Sequence, residues 1–200
     1  MRAFITTSSL AILSTFAAAP ASALQSEADL APPRCDYGAP NPEAPEQLSQ
    51  FAFLIGDFTI SAHAWQGEDW SPPRPGTPAR WNGWYGLDGM AIVDEWYSRD
   101  PGPEPETGRG VNVRMVNPED GHWEMMWIAT GAYQVQHLRA EMIEGMLTMW
   151  QIYPENRNFR AEFEVLDEDN WQRVQYQQDE AGEWHPAFLL RATRIPCEES

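Results

Sequence analysis

The sequence predicts an all-β protein: about ten short strands in one antiparallel up-and-down barrel, preceded by an extended N-terminal arm. Three observations carry this reading. From Phe51 onward the chain breaks into short runs rich in β-branched and aromatic residues, separated by Gly, Asn, Asp and Pro at regular intervals. No stretch between these runs holds a helical period, so the crossover helices that a parallel sheet requires are missing. The clearest strands mix aromatic and polar residues on their alternating faces. That suits a barrel with a partly hydrated lumen better than a sandwich, which wants one clean apolar face per strand.

The first 23 residues read as a leader removed from the mature protein. Met1-Arg2 is a short positive start, Ala3 to Ala19 is small and apolar, and Ala21-Ser22-Ala23 fits the A-x-A cleavage pattern. Leu24 is then the expected N-terminus, and the expected location is periplasmic or secreted. A transmembrane anchor is disfavoured because the strongly apolar stretch Leu10–Ala19 is too short to span a bilayer.

Cleavage leaves 177 of the 200 residues, enough for one domain that buries about 70% of its chain surface. Loss of Arg2 moves the net charge from −17 to −18, and the chain contains no lysine. Such a surface repels phosphate backbones and anionic headgroups, which argues against nucleic acid or a membrane as partner. The two cysteines, Cys35 and Cys197, bracket the patterned region. In an oxidising compartment an even pair favours a disulfide, here tying arm to tail, with two free thiols as the alternative. The chain-entropy model gives about 5 kcal/mol, as an upper figure, for so long a loop. Two isolated cysteines lack the paired spacing of a zinc site.

The arm, residues 24–50, is rich in Pro, Ala and Glu, with one helical turn expected at Pro45–Ser49. The barrel is expected over 51–194, with a tail over 195–200. Its strands are expected at Asp57–Trp65, Arg80–Leu87, Met90–Ser98, Gly110–Asn117 and His122–Ala129, then at Tyr133–Glu141, Met146–Tyr153, Asn158–Leu166, Trp171–Gln178 and Pro186–Arg194.

Two hairpins set a local register. Asp88-Gly89 between β-rich runs is a strong two-residue turn signal. It pairs Leu87 with Met90, Tyr85 with Ile92, Trp84 with Val93 and Asn82 with Glu95. One face then holds Asn82, Trp84, Val93, Glu95 and Tyr97, the other Trp81, Tyr85, Ile92, Asp94 and Trp96. The loop Asn117–His122 puts Asn112 opposite Trp127 and Arg114 opposite Met125. Asn112, Arg114, Trp123, Met125 and Trp127 share one face of that hairpin, and Val111, Val113, Met115, Met126 and Ile128 the other. Which face of either hairpin points inward is left open.

The connections Gly67–Ala79 and Asp100–Thr107 are long and Pro-rich, whereas those at Asp88-Gly89 and Asp167–Asn170 are tight. Alternate loops of an up-and-down barrel share an end, so the mouth is expected where the two long loops meet. Permissive surface insertions would give the same pattern.

Several segments, in order, resemble a known group. Phe51-Ala52-Phe53-Leu54-Ile55-Gly56-Asp57-Phe58 is similar to the F-x-F-x-x-G-x-W/F opening of bacterial DUF1579-type proteins of the calycin (lipocalin-like) superfamily. Leu87–Trp96 resembles that family's Gly-rich turn and Glu-bearing strand. Gly110–Arg114 with Pro118, Trp123 and Trp127 resembles its G-x-S hairpin, and Gly182-Glu183-Trp184 with Arg191 or Arg194 its closing strand. The departures are Asn112 for Ser, Phe58 for Trp, and Ala192 where an aromatic is usual. The resemblance spans Phe51 to Arg194 and implies a calycin-like barrel; the family has no established reaction, so it implies little chemistry.

The chain has no G-x-S-x-G elbow, H-E-x-x-H helix, C-x-x-C pair or phosphate-cradling Gly loop. Asp167-Glu168-Asp169-Asn170 lacks the residue order of a calcium loop. A haem site would need an imidazole in the lumen. His137 is the candidate and His185 a poorer one, but a hydrogen-bonded or surface histidine is the preferred reading, and no cofactor or metal is expected. Glu95 and Arg114 form a candidate ionic pair, since two interior charges must be matched. The expected function is binding of a small apolar or aromatic ligand in the lumen. Trp84 and Trp127 would form its walls, Asn82, Glu95, Asn112 and Arg114 its polar end, and His137 a further lining residue. One alternative is a cofactor-independent isomerase, cyclase or hydratase using Glu95 with Arg114 or His137. Another is an envelope interaction protein with a filled core.

Overall fold

Turn residues alternating with β-branched and aromatic runs produce a ten-stranded meander that closes on itself. The computed structural model describes residues 35–74, 79–99, 107–129 and 134–197, with the backbone alone for 98–99 and 107–109. The strands are β1 (Gly56–Ala64), β2 (Ala79–Gly86), β3 (Ala91–Arg99), β4 (Thr107–Val116) and β5 (Trp123–Ala129), then β6 (Gln134–Ile143), β7 (Met146–Tyr153), β8 (Asn156–Val165), β9 (Asn170–Gln178) and β10 (Trp184–Arg194). Their ends fall within three residues of those read from the sequence. Each strand runs antiparallel to its sequence neighbours, and β1 joins β10 from Phe58–Arg194 to Ala64–Phe188, leaving no open edge. The expected leader over 1–23, the first part of the expected arm over 24–34 and residues 198–200 of the tail lie outside the described residues.

Both hairpin registers hold. Asn82 pairs with Glu95 and Trp84 with Val93, while Asn112 faces Trp127 and Arg114 faces Met125. The first ladder stops one pair early, at Gly86–Ala91, because Leu87 and Asp88 adopt φ of 49° and 56° and make the turn themselves with Gly89.

One end of the barrel is plugged. Residues Glu46–Leu54 form a 3-10 helix, longer than the single turn expected, so Phe51–Leu54 belongs to the plug and the barrel wall begins at Gly56. Phe51 and Leu54 are fully buried. Phe51 meets Trp123 and Phe163 edge-on, with centroids 4.8 and 5.3 Å away. Trp171 packs edge-on to Phe58 and Trp81 in the same layer. Burial of such side chains contributes about 1.5–3 kcal/mol each, and that layer is the core.

Residues of the arm strap the outside of the plugged end. Asn41 donates its backbone N–H to Gly89 O, and Tyr85 donates to Tyr37 O. The Tyr37 hydroxyl donates to Asp57, which forms a buried ion pair with Arg80 at 3.3 Å. Cys35 and Cys197 lie at disulfide distance, their Cα atoms 5.5 Å apart, so arm and tail are clasped beside that network.

The β1–β2 and β3–β4 connections leave from the opposite end, as the meander requires. Residues 75–78 and 100–106 of those long loops lie outside the described residues. Among the described residues no helix is long and apolar enough to cross a membrane.

Candidate functional site

Period-two alternation turns one residue of every pair into the barrel, and above the aromatic plug these inward side chains do not fill the space. A cavity of about 290 Å3 lies there. Trp81, Trp96, Trp127 and Phe159 give it aromatic wall. Asn112, Gln136, Gln151 and Gln175 give it amides, and Arg114 and Arg173 give it charge. Gln136 donates to Gln151 at 2.9 Å, which fixes two of those amides across β6 and β7.

The cavity floor is an ionic cluster. Arg114 and Asp94 are both buried, with Arg114 Nε 2.5 Å from Asp94 Oδ2 and Nη2 3.3 Å from Oδ1. Asn112 Nδ2 donates to the same carboxylate at 3.2 Å, and Arg114 Nη1 approaches the Met125 sulfur. The Arg114 guanidinium also lies 4.6 Å over the Phe51 ring, so the plug helix caps the ion pair from below. Charge neutralisation, hydrogen bonding and a ring face together make this burial tolerable.

Of the site residues expected from sequence, Asn112, Arg114 and Trp127 share this cavity. The others face away. Glu95 follows the buried Asp94 on β3, so its side chain is on the outer face, and the acid that meets Arg114 is Asp94. This corrects the expected Glu95–Arg114 pair; alternation forbids adjacent residues from sharing the lumen. Asn82 and Trp84 are on the outer face of β2, Asn82 standing between Asp57 and Glu95 in the register.

His137 is also outside, because Leu138 takes the inward position on β6. Its Nε2 lies 2.5 Å from Glu124 Oε2, and Arg139 bonds the other oxygen. Partial burial opposes ionisation of Glu124, but hydrogen bonds from His137 and Arg139 hold its carboxyl below the ordinary value. His137 and Glu124 border a shallow outer depression lined by Val113, Met115, Met126 and Tyr153.

Asp94, Arg173 and the second aromatic wall of Trp81 and Trp96 were not among the expected site residues. A signal was present for part of this: Trp81, Asp94 and Trp96 form the other face of the same hairpin, and β3–β4 pairing sets Asp94 against Asn112.

Fold and site together define a closed ten-stranded up-and-down β-barrel with a small lumen, part aromatic and part polar. No protein-family model matches the chain, and no curated protein matches it.

Proposed function

We propose that the barrel binds a small apolar or aromatic molecule in its lumen. The observation that carries this reading is the cavity of about 290 Å3 in which four aromatic side chains face fixed amides and two arginines. It is at the lower end of the volumes typical of ligand sites, and the mix of apolar wall and few convergent polar groups is what such sites use. The cysteine pair and the leader-like first 23 residues support a periplasmic or secreted location. The ordered motifs from Phe51 to Arg194 support placing the chain beside the DUF1579-type calycins. The enzyme alternative that used Glu95 with Arg114 or His137 finds no support in this geometry, since Glu95 and His137 stand on the outer face, away from Arg114.

The test is titration of tryptophan fluorescence with a neutral probe, 2-naphthamide, on the protein and on Gln175→Trp. Gln175 lines the cavity, so an indole there should fill it and abolish binding while thermal stability is kept. Undiminished binding by that variant would put the ligand elsewhere and end the lumen reading.

A further inference from the structure

The lumen holds one more cation than it neutralises. The charged residues described around the cavity are Arg114 and Arg173, and Asp94 behind them is engaged by Arg114. Arg173 lies on β9 between Trp171, packed against the plug, and Gln175 in the cavity wall. Its Nε has no hydrogen-bond partner among the described residues. The indole nitrogens of Trp81 and Trp96, two other lining residues, are likewise buried donors without an acceptor. Against these three donors stands one orphaned acceptor of the wall, Oδ1 of Asn112. Buried donors without acceptors cost free energy that a ligand bringing acceptor oxygens would recover.

Burial and the neighbouring Arg114 pull the Arg173 guanidinium down to about 10 against the opposing attraction of Asp94, so it keeps its proton and its charge at neutral pH. The chain as a whole carries a net charge of −17. A cationic lumen inside so acidic a protein is therefore a local arrangement and not a consequence of composition.

We infer that the ligand is a monoanion, a carboxylate on a compact aromatic or apolar body, with Arg173 binding the carboxylate. This rests on the lumen-binding reading above and specifies its ligand class. One unmatched positive charge calls for one negative charge, and the planar guanidinium fork matches the geometry of a carboxylate. Trp96, Trp127 and Phe159 supply ring faces for the apolar body, and the cavity volume favours one or two rings over a long acyl chain.

A matched pair of probes separates this claim from the one beneath it. The affinities of 2-naphthoate and 2-naphthamide are compared at neutral pH by fluorescence and calorimetry on the full protein. The acid is expected to bind about tenfold to a hundredfold more tightly, the range of a charge-assisted hydrogen bond. Arg173→Met should cost the acid far more affinity than the amide, so that the preference disappears, and should melt no lower than the parent, because it removes an unmatched interior charge. Arg173→Lys should keep part of the preference. Equal affinity for acid and amide would overturn the carboxylate assignment and leave the lumen reading standing, as would a preference that survives in Arg173→Met. Binding of neither probe would overturn both. The acid–amide comparison on the unaltered protein decides the matter even if a variant folds poorly.

Discussion

The indole of Trp127 lies across Gly110, where an added Cβ would come within 2.1 Å of the ring. The bare backbone on β4 is thus what lets the ring of β5 lie flat along the cavity wall. Gly110→Val should force the indole off this seat, at a cost of about 1–3 kcal/mol for overpacking. It should also shift tryptophan emission and weaken 2-naphthamide binding. Urea unfolding and the fluorescence titration check both parts, and an unchanged pair of values would mean that the ring is held by something other than the glycine.

The buried ion pair makes an asymmetric prediction. Asp94→Ala leaves the Arg114 guanidinium buried without its carboxylate and should destabilise by about 3–5 kcal/mol. Removing both charges, as in Asp94→Leu with Arg114→Met, should recover most of that loss, because no charge is then stranded. Denaturant midpoints of Asp94→Leu, Arg114→Met and the variant carrying both form the cycle. Simple additivity of the losses would rule out the pairing.

Clasping residues 35 and 197 closes almost the whole described chain into a loop, at a sequence separation of 162. Replacing both cysteines by serine should lower stability by up to about 5 kcal/mol, with lesser values expected where the unfolded chain keeps structure. The far-ultraviolet spectrum should stay that of a barrel, since the strand ladder closes independently through β1 and β10. Equal melting temperatures in oxidising and reducing buffer would show that the clasp contributes nothing.

His122 provides a pH dependence. Hydrogen bonds to Asp120 and then to Glu141 raise its pKa above the ordinary value. The cation is therefore favoured in the folded state. Its contribution is complete below the unfolded value of about 6.5 and is lost as pH climbs through the raised folded value. His122→Gln should flatten the fall in melting temperature across that window, and Glu141→Gln should move the histidine NMR titration to lower pH. A titration in the folded protein at or below the peptide value would contradict the arrangement.

How much of this was legible beforehand differs between fold and site. Strand number and position follow from turn chemistry, which is local: Asp88-Gly89 ends one strand and starts the next whatever surrounds it. Register follows as well, since a tight turn leaves one way to zip Asn82 to Glu95 or Asn112 to Trp127. Sidedness does not. Met115, Met126 and Ile128 are the more apolar face of their hairpin, yet they are exposed on the outside, while Arg114 and Asn112 are buried within.

The sequence by itself determined ten strands, their order, two registers, and the division of each strand into two sets of side chains, because all of these depend on residues close together along the chain. Only the tertiary structure decided which set faces the lumen, that Asp94 and not Glu95 hydrogen-bonds Arg114, and that Arg173 Nε finds no hydrogen-bond acceptor among the described residues. The reason is physical: period-two alternation is symmetric between the two faces. The symmetry is broken by closure of β1 on β10 and by the plug helix, whose Phe51 ring covers the ion pair at the lumen floor.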